Sequence, residues 1–404
     1  MRMAYKCRAY PDPDQTAALT RTFGCVRLVW NKTLAERHNR YRSHGMPTSY
    51  RQTDAALTAW KQTPELAFLK EVSSVPLQQT LRHQHAAFQA FFAGRSRYPR
   101  YKTRTGRQSA HFTRSAFRMR DGQLWLAKTG GPLKLVWSWP EVDLAALNPT
   151  TVVVSQEPDG RWFVTLAVDR ADPAPAASVG GMVALDLGLK DFAVTSEGER
   201  IGHPKHMQRH EQRLKRYQRQ MARKTVGSQN RRKARRKVAR QHARVRDARR
   251  DFLHKTSTNL VRRYDVIVIE DLNVSGLVQN RCLARAISCT GWAEFRSLLE
   301  YKAAWLGRRL VVIDRWYPSS KTCSACGHLL GHLHLGTRHW ECPECGTRHD
   351  RDINAAKNIL AAGLAVTACG AGARPAGASL PGQSAAKQEA RSVREGIHTV
   401  SGDG

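Results

Sequence analysis

The chain has 404 residues, too many for one compact unit and enough for two or three domains with cores of their own. Lysine and arginine number 66 against 33 acids, a formal charge of +33. An excess of that size matches a polyanion, because each phosphate neutralised by a cation releases counterions. No long apolar run, signal-peptide core or lipidation motif favours a membrane as that polyanion. Nucleic acid is therefore the expected partner, and a cytoplasmic, nucleoid-associated, reducing setting the expected location.

In chain order, residues 3–10 read as a first strand stopped by Pro11-Asp12-Pro13. Asp12 is the expected N-cap and Pro13 the first-turn residue of a helix running to about Tyr41. Leu19, Phe23, Val26, Val29 and Trp30 give that helix one buried stripe. A second helix starts at Ser74, is expected to bury Leu77, Leu81, Phe88, Phe91 and Phe92, and stops at Gly94. The stretch from Arg95 to Arg107 interleaves cations with aromatics and has no acid. Arg97, Tyr98, Arg100, Tyr101 and Lys102 are its candidates for nucleic-acid contact, the bland alternative being a solvated basic loop. From about His111 to Val168 the period becomes two, with a hairpin at Pro158-Asp159-Gly160. This β-rich region, closed with the first strand, predicts a β-barrel interrupted by a helical insertion at about 12–95. Residues 172–180, rich in proline and alanine, form the expected linker.

Beyond the linker, three acidic positions stand out. Asp186 ends the apolar run Met182-Val-Ala-Leu, and Glu270-Asp271 ends Val266-Ile-Val-Ile269. Four consecutive β-branched residues predict a strand buried on both faces, and its carboxyl end is where open α/β sheets place their sites. Asp350 and Asp352 precede the helix-favouring run Asn354–Leu360. Singly, each acid has an ordinary explanation as a turn residue, a solvated strand end or a helix cap. Together they suit Mg²⁺, since hard cations take oxygen ligands and a substrate phosphate completes the shell.

Between the first two acids, from Ile201 to Arg250, 19 lysines and arginines stand against two acids. Val238, Val245 and Phe252 recur every seven residues, so the region reads as a helical hairpin broken at Thr225–Asn230 with a narrow apolar seam. A merely solvated helix would mix its charges. Arg231, Arg232, Lys233, Arg235, Arg236, Lys237 and Arg240 are thus further candidates for nucleic-acid contact.

Nine cysteines fall into two kinds. Cys7, Cys25, Cys282, Cys289 and Cys369 are scattered, an arrangement that argues against a disulfide framework. Cys323, Cys326, Cys342 and Cys345 form C-x₂-C-x₁₅-C-x₂-C, the spacing of a four-thiolate Zn²⁺ site. Such a shell is closed and structural, with no position for a reacting water. The nearby histidines His328, His332, His334, His339 and His349 are expected at the surface.

Several stretches resemble the TnpB (OrfB) proteins of insertion sequences, which are related to compact type V CRISPR nucleases. They are the opening strand with Tyr10-Pro11…Gln15, Tyr98-Pro-Arg-Tyr-Lys102, Leu185-Asp186-Leu-Gly188 and Ile269-Glu270-Asp-Leu272. Ser319-Ser-Lys-Thr-Cys323-Ser-Ala-Cys326-Gly327 and Cys345-Gly…Asp350-Arg-Asp352-Ile-Asn354-Ala-Ala-Lys-Asn358 complete the set. The resemblance extends to about residue 363.

It implies an α+β multidomain protein: a wedge-like barrel with a helical recognition insertion at 1–171, then a RuvC nuclease domain of RNase H-like fold at 181–363. The second domain would carry the basic hairpin at 201–262 and the zinc ribbon at 317–349, and 364–404 would be a disordered tail. Asp186, Glu270 and Asp352 would be its catalytic carboxylates, holding two Mg²⁺ ions with Asp186 between them. The second acid of the Asp-x-Asp pair is the family's catalytic one, which selects Asp352. The implied activity is Mg²⁺-dependent cleavage of double-stranded DNA directed by a guide RNA, with one or two chains on one RNA. The competing expectations are a nuclease-inactive, guide-dependent DNA-binding regulator, an accessory DNA-binding protein of transposition, and an unguided resolvase-like enzyme.

Overall fold

The computed structural model describes residues 2–170, 176–334 and 336–368. The chain divides into two compact units, one comprising Met1–Pro173 with His206–Ala248, the other Ala174–Lys205 with the described residues from Arg249 on. The sequence reading expected the whole basic hairpin to go with the C-terminal domain. By contacts, most of it groups with the N-terminal unit.

In the first unit, β1 (Arg2–Ala9) leads into α1 (Pro13–His44). The Asp12 carboxylate accepts from the Gln15 amide at 2.8 Å, and the Gln15 side chain accepts from the Asp12 amide at 3.2 Å. This capping box, with Pro13 in the first turn, satisfies amides that a helix start leaves open. The predicted stripe of α1 is buried at every position. α2 (Tyr50–Trp60) was missed, although Ser49 and Gln52 form a second capping box at its start. α3 (Ser74–Phe92) buries Leu77, Leu81 and Phe88, whereas Phe92 is 73% exposed.

The strands β2 (Gln108–Thr113), β3 (Phe117–Arg120), β4 (Gln123–Leu126), β5 (Pro132–Leu133), β6 (Leu135–Val136), β7 (Thr151–Gln156) and β8 (Trp162–Asp169) follow. β1 pairs along its whole length with β8, as the expected closure with the first strand requires. The expected barrel, however, does not close among the described strands. One antiparallel sheet runs β2-β7-β8-β1-β6 and ends at two edges, while β3-β4-β5 form a separate sheet. The edge strand β6 is only two residues long, and the following Trp137 and Trp139 turn onto Tyr5 instead of extending the ladder. Both sheets and the three helices share one apolar core.

The second unit is built on a mixed sheet. β9 (Met182–Asp186), β10 (Asp191–Thr195), β11 (Arg200–Gly202), β12 (Val266–Glu270) and β13 (Arg309–Ile313) are ordered β11-β10-β9-β12-β13. β9, β12 and β13 are parallel, β10 is antiparallel to β9, and β11 is antiparallel to β10. Strand β12 is buried on both faces at Ile267, Val268 and Ile269, with Val266 partly buried. The basic helices α4 (His206–Ala222) and α5 (Gln229–Arg263) precede β12. α6 (Val274–Leu277), α7 (Ala284–Thr290) and α8 (Trp292–Leu306) come between β12 and β13.

Val183, Leu185, Ile267 and Ile269 face the end of α5 and α8. The small strands β14 (His339–Glu341) and β15 (Arg348–Asp350) then lead into α9 (Arg351–Ala368), which packs on the opposite face through Ile359. Helix α9 approaches closely because Gly363 has no side chain: a Cβ there would lie 2.5 Å from Val268 Cγ1. Leu364–Ala368, expected in a disordered tail, are helical, and the rest of that tail lies outside the described residues. So do residues 171–175, of which 172–175 belong to the expected linker.

Candidate active site and cysteine cluster

β9 and β12 run parallel with Leu185 opposite Ile269. The next residues, Asp186 and Glu270, therefore end adjacent strands at the same level. Side chains alternate along a strand, so both acids fall on the face shared by Ala184 and Val268, where α9 lies. Asp352 sits in the first turn of that helix. Register and alternation thus bring the three predicted acids to one edge of one face.

Their neighbouring acids are engaged elsewhere. Asp350 accepts from the amides of Asp352 and Ile353, both at 3.1 Å, and so caps α9. It also pairs with Arg200 at 2.7 Å. Asp271 is clamped by Arg296 at 2.5 Å and by Arg315. Burial pushes its carboxyl upward, but the hydrogen bonds and charges of these arginines outweigh that, and its pKa falls.

Asp186 and Glu270 behave in the opposite way. Burial, then the negative charges of Glu270 and Asp352, push the Asp186 carboxyl up to about 7, against a smaller downward pull from Arg351 and Arg338. Burial also raises Glu270, opposed by the Ser319 hydroxyl, which donates to it at 2.7 Å. Asp352 is drawn towards Arg338 at 3.4 Å and Arg200 at 3.6 Å. The carboxylates remain spread: among the described residues, only the four cysteines form a group whose ligand atoms all lie within 4.8 Å of one another. An all-oxygen donor set fits a hard divalent cation, and so do the raised carboxyls of Asp186 and Glu270, whose ionised forms a cation would favour. Sequence reading missed Ser319, Arg200 and Arg338. Ser319 belongs to a quoted motif, but its hydroxyl could be tied to Glu270 only through the tertiary fold. Neither arginine carried any signal.

The cysteine cluster is built from two matching knuckles. Gly327 donates to Cys323 O and Gly346 to Cys342 O, both at 2.9 Å, and both glycines have positive φ. Cys323 and Cys345 Sγ are 3.7 Å apart, as are Cys326 and Cys342 Sγ. Zinc–sulfur bonds of about 2.3 Å in a tetrahedron put sulfurs about 3.8 Å apart, so the donors fit Zn²⁺. His349 is not at the surface as expected: it is buried, with Nε2 3.0 Å from Cys323 Sγ. Helix α9 is sewn to this cluster. Asn354 accepts from the Ser324 amide at 2.9 Å and donates to Thr322 O at 2.7 Å, while Asn358 donates to Ser319 O at 2.8 Å and Thr322 O at 2.6 Å.

The candidate nucleic-acid residues divide. Arg97, Tyr98, Arg100, Tyr101 and Lys102 are exposed, on a segment pinned to α1. Trp30 donates to Arg100 O at 2.9 Å, and Asn31 exchanges two hydrogen bonds with Lys102. Tyr98 packs edge-on against Phe88 and Phe91, which leaves Tyr101 as the freer ring. On α5, Arg232, Lys233, Arg235, Arg236, Lys237 and Arg240 are exposed. Arg231 instead donates to Lys224 O at 2.7 Å and Met221 O at 3.2 Å, closing the end of α4.

Comparison with known proteins gives a consistent result. A "Putative RNA-guided DNA endonuclease" of Streptomyces pristinaespiralis is 55% identical over 400 residues, covering 98% of each chain. The "Putative RNA-guided DNA endonuclease InsQ" of Escherichia coli K12 is 30% identical, covering 91% of this chain and 94% of its own. The OrfB_IS605 profile, described as a probable transposase, matches residues 153–281. The chain belongs to the OrfB family of IS605-type elements, the TnpB proteins.

The matched region of that profile contains Asp186 and Glu270. A Cas12f1-like TNB domain profile matches residues 292–359, which hold Asp352 and the four cysteines. A family helix-turn-helix profile matches residues 1–46, within which the described residues form the strand β1 and the single helix α1. The fold is also similar to that of the protein in a Cas12f1–sgRNA–target DNA complex, with TM-score 0.52, 12% identity, and coverage of 89% of this chain and 98% of that one. Among the described residues, no helix is long and apolar enough to cross a membrane.

Proposed function

We propose that this chain is an RNA-guided DNA endonuclease that hydrolyses phosphodiester bonds at a RuvC-type site formed by Asp186, Glu270 and Asp352. One observation carries the assignment of the site. Two acids end adjacent parallel strands on the face covered by the helix that bears the third, while Asp350 and Asp271 are consumed by a cap and an ion pair. The shares of relatives covered, 98% and 94%, support the activity of the whole chain.

Magnesium bound by these carboxylates would polarise the scissile phosphate and lower the pKa of an attacking water. The residues of the chain prepare that chemistry. Ser319 orients Glu270, the Asp350 cap fixes the first turn of α9 and hence Asp352, and Arg200 and Arg338 hold the Asp352 carboxylate. Zn²⁺ in the four-cysteine cluster would be structural, its fold anchoring α9 through Asn354 and Asn358. The N-terminal unit, with its exposed cations on α5 and at 97–102, would hold the guide RNA backbone.

The test is Asp186→Asn. Guided cleavage should be lost while the copurifying RNA and its affinity persist, and undiminished cutting would remove Asp186 from the site.

A further inference from the structure

Within the N-terminal unit, β1, the β7–β8 turn and α5 line an open pocket of about 480 Å³. Its walls carry five arginines, Arg8, Arg161, Arg236, Arg240 and Arg244, against two aspartates, Asp159 and Asp247. Both aspartates are already paired: Arg161 holds Asp159 at 2.5 Å and Asp247 at 2.6 Å, and Asp247 also pairs with Arg246 at 3.2 Å. Among the described residues, the other four have no carboxylate within ion-pair range.

The pocket is built rather than incidental. Arg236, Arg240 and Arg244 are spaced four apart, one row on a single face of α5. Gly160 stands at φ +92, and a Cβ there would lie 2.5 Å from Arg236 Nη2, so the glycine makes room for that guanidinium as well as for the turn. Arg8 Nη1 and Arg161 Nη2 are buried without a hydrogen-bond partner. Buried donors left open are costly and call for an acceptor. At the rim, Tyr10 is half exposed, with the Arg8 guanidinium 5.3 Å from its ring.

We propose that this cavity binds one nucleotide of a single-stranded RNA segment, with its phosphate among the arginines and its base stacked on Tyr10. Pockets of a few hundred Å³ enclose small ligands of this size. Stacking of an unstacked base on an aromatic ring beside a cationic groove is a single-strand mode that a closed duplex does not offer. The choice of RNA over DNA rests on the proposed guide-RNA reading, and single-stranded RNA homopolymers supply the test ligand.

Two probes test it on the full-length chain: labelled single-stranded homopolymers of RNA and of DNA, and the RNA that copurifies. Tyr10→Ala and Arg240→Ala should each weaken RNA homopolymer binding about tenfold, the size of one stacked base or one phosphate contact, while Tyr10→Phe binds like the parent. Arg232→Ala, on the same helix but outside the pocket, should weaken RNA and DNA equally. Ultraviolet crosslinking of the copurified complex should join Tyr10 to one RNA position. Unchanged RNA affinity in the Tyr10 and Arg240 variants would overturn the proposal. So would crosslinks scattered along the RNA, or an equal Tyr10-dependent loss for DNA. Loss of guided cleavage with the Tyr10-dependent RNA preference intact would instead count against the endonuclease reading alone.

Discussion

Replacing Asp186 by Asn should make the metal-free protein more stable while abolishing cleavage. The folded carboxyl titrates at about 7 against an ordinary 3.8, so its ionised form is disfavoured by about 3 pKa units. At 1.36 kcal/mol per unit, relief of that burden is worth at most about 4 kcal/mol above pH 7. The buried amide of the Asn returns part of it, leaving a gain of about 1–2 kcal/mol. The sign follows from proton binding. A raised folded pKa means that the folded state holds more protons than the unfolded state between about pH 4 and 7. Stability contributed by the protonated form is therefore lost as pH rises through that window. The variant should match the parent near pH 4 and exceed it increasingly up to about pH 7. Hydrogen exchange in the chelator-treated protein, read on the β12 peptide Val266–Glu270, measures this as slower opening of the sheet. Adding Mg²⁺ should protect the parent and not the variant. A variant equal to or weaker than the parent at pH 8, or a difference independent of pH, would refute the carboxylate cluster.

Removal of zinc by a chelator selective over magnesium should release one metal per chain by elemental analysis and suppress cleavage while the β9–β12 sheet keeps its exchange protection. Full cleavage by the zinc-free protein would separate the cluster from the active site. Asn358→Ala leaves Ser319 O without its donor and Thr322 O with Asn354 alone, at a cost of about 1–3 kcal/mol. It should retain zinc and lose most cleavage, which metal content and plasmid nicking measure together. Gly363→Ala drives a methyl into Val268, and overpacking of that kind costs about 1–3 kcal/mol, visible as a lowered Tm.

Patterns local in the chain were legible before any coordinates. The Asp12 cap, the α1 stripe, the doubly buried Val266–Ile269 strand, the cysteine spacing and the basic hairpin each follow from short-range propensity, periodicity or charge. The gathering of Asp186, Glu270 and Asp352 was legible only through a resemblance, because carboxylates 84 and 82 positions apart in the chain carry no local sign that they meet. Other features were not legible at all. The open edge at β6 depends on where Trp137 and Trp139 pack, and the burial of His349 on the fold of the cysteine cluster. The arginine pocket exists only because β1, the Gly160 turn and α5 converge.

By itself, then, the sequence determined which residues could do chemistry: acids at strand ends, thiolates in pairs, cations without acids to match them. Tertiary structure decided which of them are free to do it. Asp350 was removed by a helix cap, Asp271 by two arginines and Arg231 by the end of α4. Arg200 and Arg338 were brought in from segments with no signal of their own, and Ser319 from a motif that did not disclose its partner. The physical reason is that propensity and charge act over a few residues, whereas the partner that satisfies or leaves open a polar group is chosen by packing between distant segments.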